Sequence, residues 1–187
     1  MISYLILAMV ANVAGAQSAQ SGAGTSSSGM SAPSGNAGNS LNAQDKKMMI
    51  ELAQNNMAEI AAAKLAERQT KNPQVLAFAQ KMIDDHTKAG EDLSQLAQSK
   101  GVALPTQPDA KHQAMAKKLG NLTGDAFDRQ YLAHSGLEDH KETVALLERI
   151  SKQASDSDLK ALADKTLPVV EQHLHTATED TANEKSR

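Results

Sequence analysis

Beyond Leu41 the apolar residues of this chain recur at three- and four-residue steps through four long stretches. The breaks between them fall at Lys71-Asn72-Pro73, between Gly101 and Thr123, and at Ala154 to Asp156. That spacing gives each stretch one apolar face when it is wound into a helix. A chain of 187 residues with one such pattern has room for a single core rather than two. With two Phe, two Tyr and no Trp, that core must be filled by Ala, Leu, Val, Ile and Met. Side chains of this size suit closely spaced helices better than a strand sandwich. The expected class is all-α: a four-helix bundle over residues 41–180.

Helix 1 is read from Ala43 to Thr70, with a stripe of Met49, Ala53, Met57, Ile60 and Ala61. Asn72 is placed to cap helix 2 and Pro73 to occupy its first position. The stripe of helix 2, Val75, Phe78, Ala79, Met82, His86, Ala89, Leu93 and Leu96, ends before Gly101. So short a connection makes helices 1 and 2 an antiparallel hairpin. The segment from Val102 to Thr123 is too long for a hairpin turn, so it is read as a crossover carrying a short helix near Ala110 to Leu119. Helix 3 is expected from Asp125 to Ala154 along Phe127, Tyr131, His134, Leu137, His140, Val144 and Leu147. Helix 4 is expected from Ser157 to Thr178 along Leu159, Leu162, Ala163, Thr166, Val170, His173 and Ala177, with a bend at Pro168. Residues 181–187 are read as a disordered tail. The two hairpins resemble each other, and aligning Leu65-Ala66-Glu67-Arg68 with Leu146-Leu147-Glu148-Arg149 sets Glu59 opposite His140.

The N-terminal region has a different character. An apolar run from Ile2 to Val13 followed by Ala14-Gly15-Ala16 has the form of a signal peptide over residues 1–16, so the chain is expected to be exported, to a periplasmic or outer-membrane-associated address. No transmembrane helix is expected in the mature protein. Residues 17–40, almost entirely Ser, Gly, Ala and Asn, read as a disordered linker. The absence of cysteine excludes disulfides and thiolate metal ligands. A net charge of −3 without a Lys/Arg cluster disfavours nucleic acid or an anionic membrane surface as partner, and an envelope protein remains open as one.

His86, His140 and His173 each interrupt the apolar stripe of a different helix. Glu59 lies 13 residues before Asn72 and His86 lies 14 after it, so the two share a level about 20 Å from the turn. His140 and His173 fall within roughly one turn of that level. Glu59, His86, His140 and His173 are therefore the candidate metal ligands. Imidazoles with one carboxylate suit one transition-metal ion, zinc, copper or iron, better than calcium or magnesium. A buried histidine network without metal is the other reading the sequence leaves open, with a structural or stress-associated role in the envelope. Among the neighbouring acids Asp85, Asp139 and Glu171, at most one is expected to orient a ligand. His112 and His175 read as exposed, His134 with Glu138 as a local i,i+4 pair, and Met48, Met49, Met57 and Met82 as core filler. The chain carries no phosphate-binding loop and no nucleophile elbow, so no catalytic residue is assigned.

The order of Asn56-Met57-Ala58-Glu59-Ile60, Lys71-Asn72-Pro73, Met82-Ile83-Asp84-Asp85-His86, Phe127-Asp128-Arg129-Gln130-Tyr131, Asp139-His140 and Thr166-Leu167-Pro168 before His173-Leu174 resembles the bacterial "domain of unknown function 4142" family over residues 41–178. The resemblance implies a ferritin-like four-helix fold and an exported protein, with no established molecular function. Ferritin-like di-iron sites need Glu three residues before each ligand His. Those positions here are Ile83, Leu137 and Val170, which argues against a di-iron centre and leaves a mononuclear site or none.

Overall fold

The structure, a computed structural model, describes residues 40–185. The signal-peptide and linker assignments, apart from residue 40, lie outside these residues, as do positions 186–187. The helices are α1 (Ala43–Gln69), α2 (Pro73–Ser99), α3 (Ala110–Leu119), α4 (Gly124–Tyr131), α5 (Asp139–Gln153) and α6 (Ser157–Lys185). A π-helical segment, Leu132–Glu138, joins α4 to α5 in one continuous rod. α1 and α2 form one hairpin, and the α4–α5 rod with α6 forms the other. α2 packs on α6 and α1 on α5, while α3 lies in the crossover against α1. Among the described residues there is no strand, and no helix is long and apolar enough to cross a membrane.

The ends of the elements follow from local chemistry. Asn72 accepts a hydrogen bond from the Gln74 amide at 3.0 Å with Pro73 opening α2, and Asn42 and Asp109 cap α1 and α3 in the same way. Gly101, at φ 66°, takes the left-handed conformation that ends α2. Asp45 in the first turn of α1 is buried, and its carboxylate accepts the Ser155 and Asp156 amides at 3.0 and 2.9 Å, tying the start of the bundle to the α5–α6 turn.

Three boundaries or stripes differ from the sequence reading. α6 continues past Thr178 to Lys185, so residues 181–185, expected to be a disordered tail, are helical. On α1 the inward face runs Leu52, Asn56, Glu59, Ala63 and Ala66, whereas Met57 and Ile60 are only half-buried and Ala61 is exposed. The apolar count follows hydrophobic residues and therefore slips off a face that turns polar at mid-helix.

The third difference is the π-helical segment. Tyr131 and His140 are both fully buried, yet nine residues amount to about two and a half α-helical turns and would set them on opposite sides. The wider π turns bring His140 back to the buried side. For the same reason Ser135, Gly136 and Thr143 point inward, while His134, Leu137 and Val144 of the expected stripe are half-buried.

The core falls into two apolar clusters. One joins Met49, Leu52, Leu93, Leu147, Ile150 and Leu159, and the other joins Ala63, Phe78, Met82, Phe127, Tyr131 and Ala177. Between them lies a buried polar layer containing Asn55, Asn56, Glu59, His86, Ser135, His140, Thr143 and His173.

Candidate metal centre

Three of the four bundle positions at this layer are occupied by imidazoles. The ring centroids of His86, His140 and His173 lie 5.5 to 5.8 Å apart. One ring nitrogen from each falls within 4.8 Å of the others, and all three residues are buried. Glu59, on the fourth position, stands outside that group. Its Oε1 lies 3.4 Å from His140 Nδ1, on the side of the ring that already holds a hydrogen bond.

Each histidine has one nitrogen fixed by an acceptor. His86 Nδ1–H donates to Asn56 Oδ1 at 3.0 Å, His140 Nδ1–H donates to the Ser135 carbonyl at 2.5 Å, and His173 Nε2–H donates to Asp85 Oδ2 at 2.8 Å. A carbonyl or a carboxylate can only accept, so the proton of each neutral ring is assigned to the bonded nitrogen. The other nitrogen then carries a lone pair. Those nitrogens, His86 Nε2, His140 Nε2 and His173 Nδ1, are buried and have no hydrogen-bond partner. Buried polar atoms are almost always satisfied, and these three lone pairs, in a layer where Glu59 Oε1 is unpartnered as well, form a group that could hold a metal ion. An outer acceptor on one nitrogen and an open lone pair on the other is the arrangement of metal-binding histidines.

Electrostatics keeps the rings neutral. Burial lowers the His86 pKa to about 3, with His140 and His173 as further like-charge opposition. Burial takes His140 down to about 4 against the raising effect of the Ser135 carbonyl. Burial also lowers His173, opposed by Asp85. Glu59 goes the other way: burial, aided by Asp139, pushes its carboxyl well above the usual range and towards the neutral acid. The nearby Tyr131 hydroxyl is raised by burial and by Glu59, and it too lacks a hydrogen-bond partner.

The supporting shell was only partly anticipated. Of the three neighbouring acids, Asp85 bonds a ring of the layer. It bonds His173 across the α2–α6 interface rather than its sequence neighbour His86, and it also binds Lys81 at 2.8 Å. Asn56 and the Ser135 carbonyl were not foreseen. Leu52, Asn56, Glu59, Ala63 and Ala66 recur at four-three-four-three spacing, a signal available once polar residues are admitted to the inward stripe. Two glycines make room for this shell. A Cβ on Gly90 would stand 2.7 Å from the Asn56 side-chain nitrogen, and one on Gly136 would stand 2.9 Å from the Ala177 Cβ.

His112, read as exposed, is buried. Its Nδ1 lies 2.9 Å from Asp109 and its Nε2 lies 3.8 Å from Asp139. With Asp139 and Glu142 it forms a second group of metal-ligand types, but Lys111 already neutralises Glu142 at 2.7 Å, and the group docks α3 on α5. His175 is exposed, and His134 pairs with Glu138 at 2.6 Å as expected. Met48, Met49 and Met82 are core residues, with Met57 half-buried.

Fold and layer together define a ferritin-like four-helix protein with a three-histidine cluster in its core. The chain belongs to the family described as Domain of unknown function (DUF4142), which matches residues 30–179. No curated protein matches it. Its fold is shared with a DUF305 fragment from Deinococcus radiodurans at TM-score 0.69 and 13% identity, covering 77% of this chain and 99% of that one. A DUF305 secreted protein from Streptomyces coelicolor aligns at TM-score 0.64 and 14% identity, covering 75% and 93%. CopM in its Cu(II)-bound form aligns at TM-score 0.62 and 15% identity, covering 74% and 96%.

Proposed function

We propose that this protein binds one transition-metal ion through His86, His140 and His173, as an exported bundle that holds or buffers the metal in the cell envelope. The observation that carries the reading is the set of three buried, unpartnered ring nitrogens, each on a ring whose other nitrogen is pinned. Glu59, beside His140 and held towards its neutral form by burial, is the acid that would give up its proton to balance the charge of a bound ion. Neutral imidazoles select zinc, copper, iron or nickel over hard cations. The copper-bound state of CopM, a fold relative, makes copper the first ion to test. The apolar run of residues 2–13 before Ala14-Gly15-Ala16 supports export.

The test is the metal content of the full chain, purified without a histidine tag and exposed in turn to copper, zinc and iron. One equivalent of one ion in the wild type, lost in His86→Ala and His140→Ala, is expected. A metal-free protein whose melting temperature ignores all three ions would replace this reading with a structural histidine network.

A further inference from the structure

A cavity of about 20 Å³ adjoins the histidine layer on one side, enough for a guest of one or two heavy atoms. Its place is set by helical spacing. Ala89 is one turn after His86, Thr143 one turn after His140 and Val170 one turn before His173, and all three line the cavity together with His86. The cavity is thus coaxial with the cluster, towards the Leu52 and Leu147 end of the bundle. The opposite side is filled by the buried side chains of Met82 and Ala177, with Phe78 6.4 Å from the His140 ring.

The lining is mostly apolar, and its polar groups are partly committed. The Thr143 hydroxyl accepts from Asn55 at 3.3 Å, Thr166 donates to the Leu162 carbonyl at 2.8 Å, and the Asn56 oxygen holds His86. The Thr143 hydroxyl proton and the Asn56 amide N–H remain as donors on otherwise apolar walls, so a guest that accepts one or two hydrogen bonds is accommodated. A weakly hydrated diatomic molecule loses little by entering. Three protein nitrogens also leave a metal ion short of four ligands, the condition under which catalytic metal sites keep an exchangeable position.

We infer that the three-histidine site holds its metal with one position open towards this cavity, and that the position takes an exchangeable ligand of one or two heavy atoms, for which carbon monoxide is a probe. The inference rests on the metal-binding reading above and extends it from holding an ion to presenting one.

The experiment loads the full chain anaerobically with copper(I), measures copper per chain, and then adds carbon monoxide and records the infrared C–O stretch. One copper and one sharp carbon monoxide band per chain are expected. Val170→Leu, which fills the cavity with about one methylene, should keep its copper and bind carbon monoxide at least tenfold more weakly; Val170→Ala should bind it as well as the wild type. Copper at one equivalent with no carbon monoxide band overturns the open position and leaves metal binding standing. A band equally strong in Val170→Leu overturns the assignment to this cavity. Failure to bind copper, zinc or iron overturns both readings.

Discussion

Asn56 on α1 accepts the Nδ1 proton of His86 on α2 at 3.0 Å, and Gly90, one turn further along α2, leaves the space in which that amide stands. The pair fixes which nitrogen of His86 is open. Gly90→Ala raises local helix propensity by up to about 1 kcal/mol but forces a methyl to within 2.7 Å of the amide nitrogen. The expected outcome is little change in the melting temperature of the metal-free protein and a loss of roughly tenfold in metal affinity, the usual scale for an outer partner of a ligand histidine. Asn56→Ala should show the same affinity loss, read by competitive titration against a chromophoric chelator.

Stability of the metal-free protein should fall with acid. His86 and His140 have folded pKa values near 3 and 4, below the 6.5 of an unperturbed histidine. The unfolded chain therefore binds protons first. The stability these two rings contribute is complete above pH 6.5 and declines as pH drops towards 4, at about 1.4 kcal/mol per pH unit for each ring. Urea midpoints at pH 7 and pH 5 measure it, with His86→Gln expected to flatten the slope. Equal midpoints for the wild type would contradict the burial of neutral rings.

Asp45 is 1% exposed and receives two backbone amides of the α5–α6 turn. Asp45→Ala would take the carboxylate acceptor from both amides, which lie in a partly exposed turn, at a cost of about 1–3 kcal/mol. The lowered urea midpoint should come without loss of metal stoichiometry, because Asp45 lies about four helical turns before Glu59 on α1.

Gly136→Ala tests the close approach of the π-helical segment to α6. Its new Cβ meets the Ala177 Cβ at 2.9 Å, and neither atom can rotate away. The overpacking should cost about 1–3 kcal/mol. Ala177→Gly in the same chain should recover most of that loss, and a double-mutant cycle on thermal unfolding reads the coupling.

The stripes of α2 and α6 were legible because their inward residues are apolar apart from one histidine each. Val75 to Met82 and Leu159 to Ala177 announce the face that His86 and His173 share. The caps at Asn72 and Pro73 and the short helix Ala110–Leu119 followed from residue type alone. α1 was misphased because Asn55, Asn56 and Glu59 carry its buried face at the polar layer, where a hydrophobicity count has nothing to follow. The partner of His140 was out of reach for a different reason. It is a backbone carbonyl exposed to the ring by π-helical winding, and no side-chain pattern encodes it. Asp85 could be named as a candidate, but its choice of His173 depends on how α2 and α6 pack.

The π-helical winding between Tyr131 and His140 also fixes which changes of chain length the protein can absorb. Removing one residue there would let an ordinary α-helix form over an eight-residue interval, which at about 100° per residue keeps His140 within roughly 80° of Tyr131 and on the buried side. The crossover between Gly101 and Asp109 has no such bookkeeping, since slack in a connecting loop does not rotate a helix. Relatives of this chain should therefore vary in length across that loop, and those that lose one residue between Tyr131 and His140 should run as unbroken α-helix there with the histidine still inward.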